Sequence, residues 1–362
     1  MASKSNIFQS GLSQSNILEF SKDTKALKKA LEAGGLPAVA AKLQATLHSL
    51  ENVRVDIGVT GGQAQFPNVI LWDLPGVGAP TLEADEYLQR VLVDRYDLFI
   101  IITSESFTAS HAQLARGILQ QGKCFYLIRS KMDVDVAASR SRRPRTFSEE
   151  TVLSQIRDAC GRQLEAEGLE DPKVFLLSMF ELGKYDYHLL EESMVKEVES
   201  HKRHALLVAL PNVSKPTIEK KAASLQQHIW LVATVACGIN PSPVPGVQDM
   251  ACNLYPLIHS LEGYRRSLGL DEDSLVTLAE QTSQPLHRVL EAVQGPKTKV
   301  TKELVADLLG QACSDASAFS QELLHVPVLG ALATCGISFA TIYQMLRLSL
   351  DVMVKDAQSV LM

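Results

Sequence analysis

Hydrophobic and polar positions divide the chain into a central part with strand-like runs and two flanking parts with helical spacing. Between about residues 53 and 180, short apolar runs are each followed by a polar turn. These runs alternate with segments whose apolar residues recur every three or four positions, the spacing of one helix face. The predicted strands are Val55–Thr60, Val69–Trp72, Leu98–Ile102, Cys124–Ile128 and Val174–Leu177. The alternation predicts an α/β domain with a parallel sheet.

The flanking parts lack strand signals. Helical spacing covers residues 16–33 and 37–50, and helical segments recur from residue 187 to the end. Pro and Gly clusters interrupt these later segments, which is typical of breaks between helices. We therefore predict three parts: N-terminal helices over residues 1–50, the sheet domain over residues 51–186, and a C-terminal helical domain over residues 187–362.

Composition narrows the class of protein. Of 362 residues, 46% are hydrophobic and 21% are charged, as in a foldable globular chain. The net charge of −6 argues against a nucleic-acid partner, because such domains are usually basic. The six cysteines form no C-x-x-C pair, which predicts reduced thiols in a cytosolic protein. The N-terminus lacks the apolar core of a secretory signal, and Ala2 stands where myristoylation requires Gly.

Three short motifs follow predicted strands. Asp73-Leu74-Pro75-Gly76 matches the D-x-x-G turn that, in P-loop GTPases, supplies a carboxylate to the magnesium shell and a glycine near the γ-phosphate. Ser130-Lys131-Met132-Asp133 is a variant of N/T-K-x-D, in which the lysine stem packs over guanine and the aspartate accepts hydrogen bonds from guanine N1 and N2. Ser178 stands where a loop backbone and a serine contact guanine O6. Together they predict a guanine site.

The phosphate-binding half of such a site is incomplete in this sequence. The first strand ends in Thr60-Gly61, as strands that enter a phosphate loop do. Only eleven residues separate Gly61 from Asp73, and they contain no lysine and no second half of G-x-x-x-x-G-K-[ST]. The near match at residues 117–124 runs from a helix into a strand, whereas a phosphate loop runs from a strand into a helix. We therefore exclude it.

The short linker after the first strand constrains the sheet. Parallel strands usually need a crossover of a dozen or more residues. Gly62–Pro67 has only six. We predict either that this linker runs straight back along the sheet, or that residues 55–60 and 69–72 form a hairpin.

Several segments resemble the immunity-related GTPases of the interferon-inducible p47 type. The resemblance extends from about residue 16 to the end and implies a Ras-like P-loop GTPase sheet, truncated here at the P-loop. It also implies an all-α domain built from N- and C-terminal helices. The segments that carry it are residues 36–61, 66–78, 239–247 and 326–346.

The resemblance also assigns roles to individual residues. Gly61 would be the first glycine of the phosphate loop, and Asp73 and Gly76 would be the D-x-x-G pair, with Asp73 holding the metal through water. Lys131 and Asp133 would read guanine. The nucleotide-binding set is Gly61, Asp73, Gly76, Ser130, Lys131, Asp133 and Ser178, and no catalytic residue is assigned.

The implied function is GTP binding and slow hydrolysis in cell-autonomous defence. The resemblance implies GTP or GDP and Mg²⁺ as ligands, and assembly with itself or with related GTPases. It further implies a cytoplasmic protein with peripheral association to the ER, Golgi or vacuole membranes. Because the lysine and serine that grip phosphates and Mg²⁺ are absent, we predict impaired hydrolysis and millimolar guanine binding, about −4 kcal/mol. The alternative is a non-catalytic protein that binds GTP-competent relatives.

Two uncharged runs and one basic loop leave further alternatives open. Ile229–Val247 and Val326–Leu346 each approach the length that crosses a bilayer. Their Pro and Gly residues favour buried helices of the helical domain, with peripheral membrane contact as the alternative and an anchor at Val326–Leu346 as a third reading. The basic loop would be a solvated loop, or would contact a phospholipid or another protein. Its arginines are Arg140, Arg142, Arg143 and Arg145.

Overall fold

The computed structural model describes residues 14–60, 64–66, 68–74, 93–104, 107–169, 173–248, 250–282, 284–295, 299–313 and 337–361. The chain forms two compact units. One contains the residues up to Glu51 and those from Ser214 onward, and the other contains Asn52–Val213. Helices from both ends of the chain therefore share one unit, which confirms the predicted all-α part of the fold.

A six-stranded sheet forms the centre of the Asn52–Val213 unit. Its spatial order is β2-β3-β1-β4-β5-β6, where β2 is antiparallel to β3 and all other neighbours are parallel. This confirms the predicted α/β class and the truncated Ras-like sheet. The strands are β1 (Val55–Thr60), β2 (Ala64–Phe66), β3 (Val69–Asp73), β4 (Leu98–Thr103), β5 (Phe125–Arg129) and β6 (Val174–Leu176).

Strand β2 explains how the chain passes from β1 to β3. It runs antiparallel to β3 with Phe66 opposite Val69, while β1 and β3 pair in parallel. The linker that runs back along the sheet is therefore confirmed, and the hairpin between residues 55–60 and 69–72 is wrong. Asn68, between β2 and β3, has a φ of 64°, a left-handed conformation that Asn adopts readily in tight turns. A hairpin with β2 thus replaces a crossover helix.

Helices make up most of the remaining described chain. Those of the sheet unit are α2 to α6, and those of the helical unit are α1 and α7 to α13. In chain order they are α1 (Gln14–Glu51), α2 (Ala109–Gln120), α3 (Met132–Arg142), α4 (Glu149–Ala166), α5 (Tyr187–Glu197), α6 (Ser200–Ala209), α7 (Lys215–Gln226), α8 (Ile229–Gly238), α9 (Leu254–Ser267), α10 (Glu272–Thr282), α11 (Leu286–Ala292), α12 (Lys302–Cys313) and α13 (Ile337–Val360).

Apolar side chains pack on both faces of the sheet. One face packs against α2 and α4, with Phe99 and Leu164 buried. The other packs against α5 and α6, where Met194 is buried. Lys202 of α6 also forms an ion pair with Asp97 at 2.6 Å. Because these helices bury their apolar faces against the sheet, the division between units falls after Val213 and differs from the predicted boundary at residue 187.

The helical unit is built around a buried helix. Helix α8 packs against α1, and all of its residues except Trp230 are buried. The assigned helix α1 is broken at Gly35, whose φ of 66° is left-handed, so its two arms correspond to the predicted helices over residues 16–33 and 37–50. A short antiparallel pair, β7 (Ser242–Pro243) and β8 (Ala251–Cys252), follows α8. The Asn253 N–H, directly after β8, donates to the Ala236 carbonyl at 2.8 Å and so pairs one of the last carbonyl groups of α8.

The two uncharged runs belong to this unit. Among the described residues, none of the helices combines the length and the apolar character that crossing a bilayer requires. In Ile229–Val247 the buried helix ends at Gly238, so the prediction of a buried helix is confirmed for that run. In Val326–Leu346, residues 337–346 belong to α13, and residues 326–336 lie outside the described residues.

Candidate nucleotide-binding site

The carboxyl ends of the parallel strands carry the predicted site residues that the structure describes. Ser130, Lys131 and Asp133 follow β5, and Ser178 follows the neighbouring strand β6. These four residues therefore share one part of the sheet edge. Asp73 ends β3, which is separated from β5 by β1 and β4. That separation is three strand spacings, roughly 14 Å, so Asp73 stands apart from the other four. For their predicted role we call those four the base-reading residues, and the loop after β5 that begins with Ser130 the base-reading loop.

Hydrogen bonds fix the loop after β5 to both neighbouring strands. Ser130 donates its backbone N–H to the Thr103 carbonyl at 2.8 Å. Its hydroxyl donates to the same oxygen at 3.1 Å. On the other side, the Met132 N–H donates to the Leu177 carbonyl at 3.2 Å. The segment that carries Lys131 is therefore held at each end by main-chain contacts with β4 and with the end of β6.

Lys131 has an unusual backbone. Its φ of 62° and ψ of 34° are left-handed, and it is the N-cap of α3 without a side-chain capping bond. For a residue other than glycine this conformation costs about 1–2 kcal/mol. Such strained residues cluster at functional sites, because the surrounding structure must hold them in place. The bonds of Ser130 and Met132 hold Lys131 here, which supports a functional role for its exposed side chain.

Two carboxylates lie in the first turn of α3, and the structure distinguishes them. Asp135 forms an ion pair with Arg129 at 2.5 Å. Within the described part of the chain, neither the Asp133 carboxylate nor the Lys131 ammonium has a hydrogen-bond or ion-pair partner. These two groups are therefore available to a ligand. A lysine stem and an acceptor carboxylate at one strand end suit a planar base with two adjacent N–H donors.

Sequence reasoning did not identify Arg129, the residue that organises this loop. Its side chain is only 8% exposed although it closes an otherwise apolar strand. The guanidinium donates to the Ser104 carbonyl, to the Ser130 carbonyl at 2.8 Å and to Asp135. Arg129 thus joins the end of β4, the base-reading loop and α3. The available signal was a charged residue at the end of a buried strand, which requires a partner.

The loop after β6 presents a buried serine and two exposed apolar side chains. Ser178 is fully buried, and its hydroxyl oxygen accepts a hydrogen bond from the Phe180 N–H at 3.2 Å. Met179 is 72% exposed and Phe180 is 90% exposed. The hydroxyl therefore shapes the turn, and the next two side chains form an apolar rim beside the base-reading residues.

Among the described residues, side chains that suit a guanine base are present, and side chains that suit a triphosphate with Mg²⁺ are not. Only three residues join Thr60 at the end of β1 to Ala64 at the start of β2, and none is a lysine or serine. A P-loop site needs a helix N-terminus after the first strand, with a lysine for the phosphates. No metal-binding group of His, Cys, Asp or Glu occurs within the described ranges. Gly61 and Gly76 lie outside those ranges.

A second polar cluster lies at the amino ends of the parallel strands, where β5 and β6 begin. The Cys124 thiol donates to Glu197 at 2.7 Å, and the Tyr126 hydroxyl and the Lys173 ammonium donate to the same carboxylate at 3.2 and 2.9 Å. Burial, followed by the bond to Glu197 and its charge, raises the pKa of Cys124 from 9.0 to about 11. The thiol is therefore protonated at neutral pH, and the cluster attaches α5 to the sheet.

We expect alkylation of Cys124 to be slow and to depend on Glu197. At pH 8 a pKa raised by two units lowers the thiolate fraction about 100-fold, while its greater nucleophilicity recovers roughly tenfold, so labelling is about tenfold slower. Glu197→Gln removes the negative charge, lowers the pKa of Cys124 and speeds labelling. Iodoacetamide labelling followed by peptide mass spectrometry measures the rate. Glu167→Gln is the control, and equal Cys124 rates in both variants would contradict the coupling.

Known proteins resemble this chain over nearly its whole length. Residues 62–362 match the family model described as Interferon-inducible GTPase (IIGP). Interferon-inducible GTPase 5 of Rattus norvegicus is 37% identical over 387 aligned positions, covering 96% of this chain and 83% of the rat protein. The Bos taurus protein of the same name is 36% identical, covering 97% and 84%. Interferon-gamma-inducible GTPase 10 of Mus musculus is 31% identical, covering 82% and 69%.

The rat alignment is longer than this chain. It has 387 positions, whereas this chain has 362 residues, so the rat protein carries segments with no counterpart here.

Proposed function

Because this chain belongs to the interferon-inducible GTPase family, we propose that it is a member that keeps guanine recognition and has lost phosphate binding. The observation that carries the proposal is the connection of three residues between β1 and β2. Three residues leave no room between these two strands for a helix whose N-terminal amides would meet phosphates. The proposed protein therefore hydrolyses GTP poorly or not at all.

The base-reading half supports weak binding of guanine. The Lys131 stem would pack over the ring, the Asp133 carboxylate would accept hydrogen bonds from N1 and N2, and the loop at Ser178 would lie near O6. Arg129 keeps Asp135 engaged and so leaves Asp133 as the open acceptor. Without phosphate contacts, the expected affinity is in the millimolar range, about −4 kcal/mol.

We expect the affinity for guanine compounds to be independent of the number of phosphates. Guanosine, GMP, GDP and GTP should bind with similar millimolar Kd, with and without Mg²⁺, because only the base makes contacts. Asp133→Ala should abolish the preference of about 10- to 100-fold over adenosine, since the carboxylate is the guanine-specific acceptor. NMR titration of the purified full chain measures these weak affinities.

The matched control for that experiment is Asp158→Ala, which removes an exposed carboxylate from α4. It should bind guanosine as the parent chain does. Micromolar, Mg²⁺-dependent GTP binding would contradict the proposal. So would phosphate release well above that of a Lys131→Ala, Asp133→Ala double variant.

A second candidate function is a non-catalytic partner of GTP-competent relatives. The exposed pair Met179 and Phe180 favours it, because adjacent apolar side chains at this exposure suit a protein contact. Capture of full-length relatives with and without GTP tests this candidate. Partner binding in a chain that binds no nucleotide would support the second function over the first.

The proposed location is the cytoplasm, with peripheral association to intracellular membranes of the ER, Golgi or vacuole, in a role in cell-autonomous defence. This part of the proposal rests on the family. Cell fractionation followed by alkaline carbonate extraction tests it, because a peripheral protein is released by carbonate. Absence from every membrane fraction would reject it.

A further inference from the structure

The loop between α3 and α4 takes no part in the site described above. We define the arginine loop as residues 140–148, which contain four arginines and no acidic residue. Residues 143–148 form neither helix nor strand, and most of them are exposed. A partner can therefore reach this part of the main chain in the folded protein.

The arginines of the loop differ in their contacts. The Arg140 guanidinium lies 4.8 Å from the centre of the Phe147 ring and 3.8 Å from the Glu149 carboxylate. In contrast, no described residue forms an ion pair or a side-chain hydrogen bond with the guanidinium groups of the other three, Arg142, Arg143 and Arg145. Three unpaired arginines within four consecutive residues favour a negatively charged ligand.

A serine follows two of these arginines at fixed spacings in the sequence. Ser148 follows Arg145 by three residues and Arg143 by five. Its backbone is extended, with a φ of −133° and a ψ of 120°, and its side chain is exposed. Its hydroxyl oxygen is the N-cap of α4 and accepts a hydrogen bond from the Thr151 N–H at 3.4 Å, so the hydroxyl proton is not used by the cap. Kinases select substrates partly by charge pattern. Arginines three and five residues before an accessible hydroxyl form the pattern that arginine-directed serine/threonine kinases read with acidic pockets.

The neighbouring hydroxyl fits this pattern less well. Thr146 is also exposed and follows Arg143 by three residues, but Ser141 stands five residues before it. Ser148 is therefore the better acceptor of the two.

We infer that Ser148 is a phosphorylation site for an arginine-directed serine/threonine kinase. In the reaction, the Ser148 Oγ forms a bond to the γ-phosphorus of kinase-bound ATP. The bond from that phosphorus to the β,γ-bridging oxygen breaks and ADP leaves, while the hydroxyl proton passes to the catalytic-loop aspartate of the kinase. This modification goes beyond the proposed function and does not depend on nucleotide binding by this chain.

Phosphorylation would give the unpaired arginines a partner. A phosphoserine carries a charge of about −1.5 to −2 and accepts charge-assisted, bidentate hydrogen bonds from arginine. It would also lie at the first turn of α4, where the helix dipole favours an anion. Because Phe147 packs against the cluster that contains Met132, the new charge would be placed close to the base-reading loop.

The test uses the folded full chain, a purified arginine-directed kinase and ATP, with phosphopeptide mass spectrometry as the readout. We expect incorporation at Ser148. Ser148→Asn, which retains an N-cap acceptor but lacks the hydroxyl, should remove that phosphate, while Thr146→Ala should leave it unchanged. Arg143→Ala and Arg145→Ala should each slow incorporation about tenfold, because each removes a charge-assisted contact with the kinase.

A second readout tests the contacts after phosphorylation. By ³¹P NMR, the second pKa of phosphorylated Ser148 should lie below its usual value of about 6 and rise when Arg143 or Arg145 is alanine. The inference would be overturned if phosphate were found at Thr146 alone, or at Ser148 only in the heat-unfolded chain. Phosphorylation of Ser148 at the parent rate in Arg143→Ala would overturn it as well. Absence of phosphate at Ser148 would also overturn it. If the arginine variants then bind anionic phospholipid vesicles more weakly than the parent chain does, the loop is a lipid contact instead.

Discussion

Gly238→Ala is expected to destabilise the helical unit by about 3 kcal/mol. Gly238 is the last residue of α8, and its backbone lies against Leu36 and Ala40 of α1. A Cβ atom at this position would lie 2.2 Å from the Ala40 Cβ and 3.0 Å from the Leu36 carbonyl oxygen. Neither atom can move away by rotating a side chain, so the two helices must separate. Urea unfolding of the full chain measures the loss.

The same substitution elsewhere serves as the control. At Gly263 in α9, an added Cβ would meet no atom within 4 Å. Gly263→Ala should therefore stabilise the chain by about 0.5–1 kcal/mol, because alanine loses less backbone entropy in a helix. A Gly238→Ala chain as stable as its parent would contradict the close approach of α1 and α8.

The hydrophobic pattern predicted the helix that contains Gly238 and the helix it packs against, but not the close contact between them. Strands β3, β4 and β5 consist largely of continuous apolar runs, which parallel strands buried on both faces require. The apolar run from Ile229 likewise indicated a buried helix. Which glycine touches which helix depends on contacts between α1 and α8, some two hundred residues apart in sequence. Periodicity describes only one element at a time and therefore cannot supply such contacts.

Strand β2 and helix α3 escaped prediction for local reasons. Strand β2 has three residues, which is too short to show alternation. Helix α3, over Met132–Arg142, has only two buried residues, Met132 and Val136, so its apolar face is narrow. The boundary between the units was placed too early because α5 and α6 have helical periodicity, and periodicity does not show that a helix packs on a sheet.

The candidate site was predictable to the extent that its residues lie in one motif. Ser130, Lys131 and Asp133 follow a strand that the sequence identifies, and the structure places Ser178 on the neighbouring strand's end. Their roles toward guanine remain predictions. The support from Arg129 could not be predicted, because its carbonyl partner at Ser104 comes from a different strand.

Arg129→Met should cost about 3 kcal/mol of folding free energy, because it leaves a carboxylate and two carbonyl groups without their buried donor. Methionine retains most of the volume, so the loss reports on the polar contacts. Arg129→Lys should recover only part of it, since an ammonium lacks the planar fork that reaches Ser104, Ser130 and Asp135 together. Urea unfolding compares the three chains.

Arg116→Met is the matched control, because Arg116 pairs with Glu167 where both side chains are about 40% exposed. Exposed pairs contribute roughly 0–1 kcal/mol, so this variant should unfold close to the parent. A loss at Arg129 no larger than that at Arg116 would contradict the bridging role. If Arg129→Lys stays folded yet binds guanosine more weakly, then Arg129 acts by positioning Lys131 and Asp133, since its own guanidinium is held by Asp135 and by two carbonyl groups.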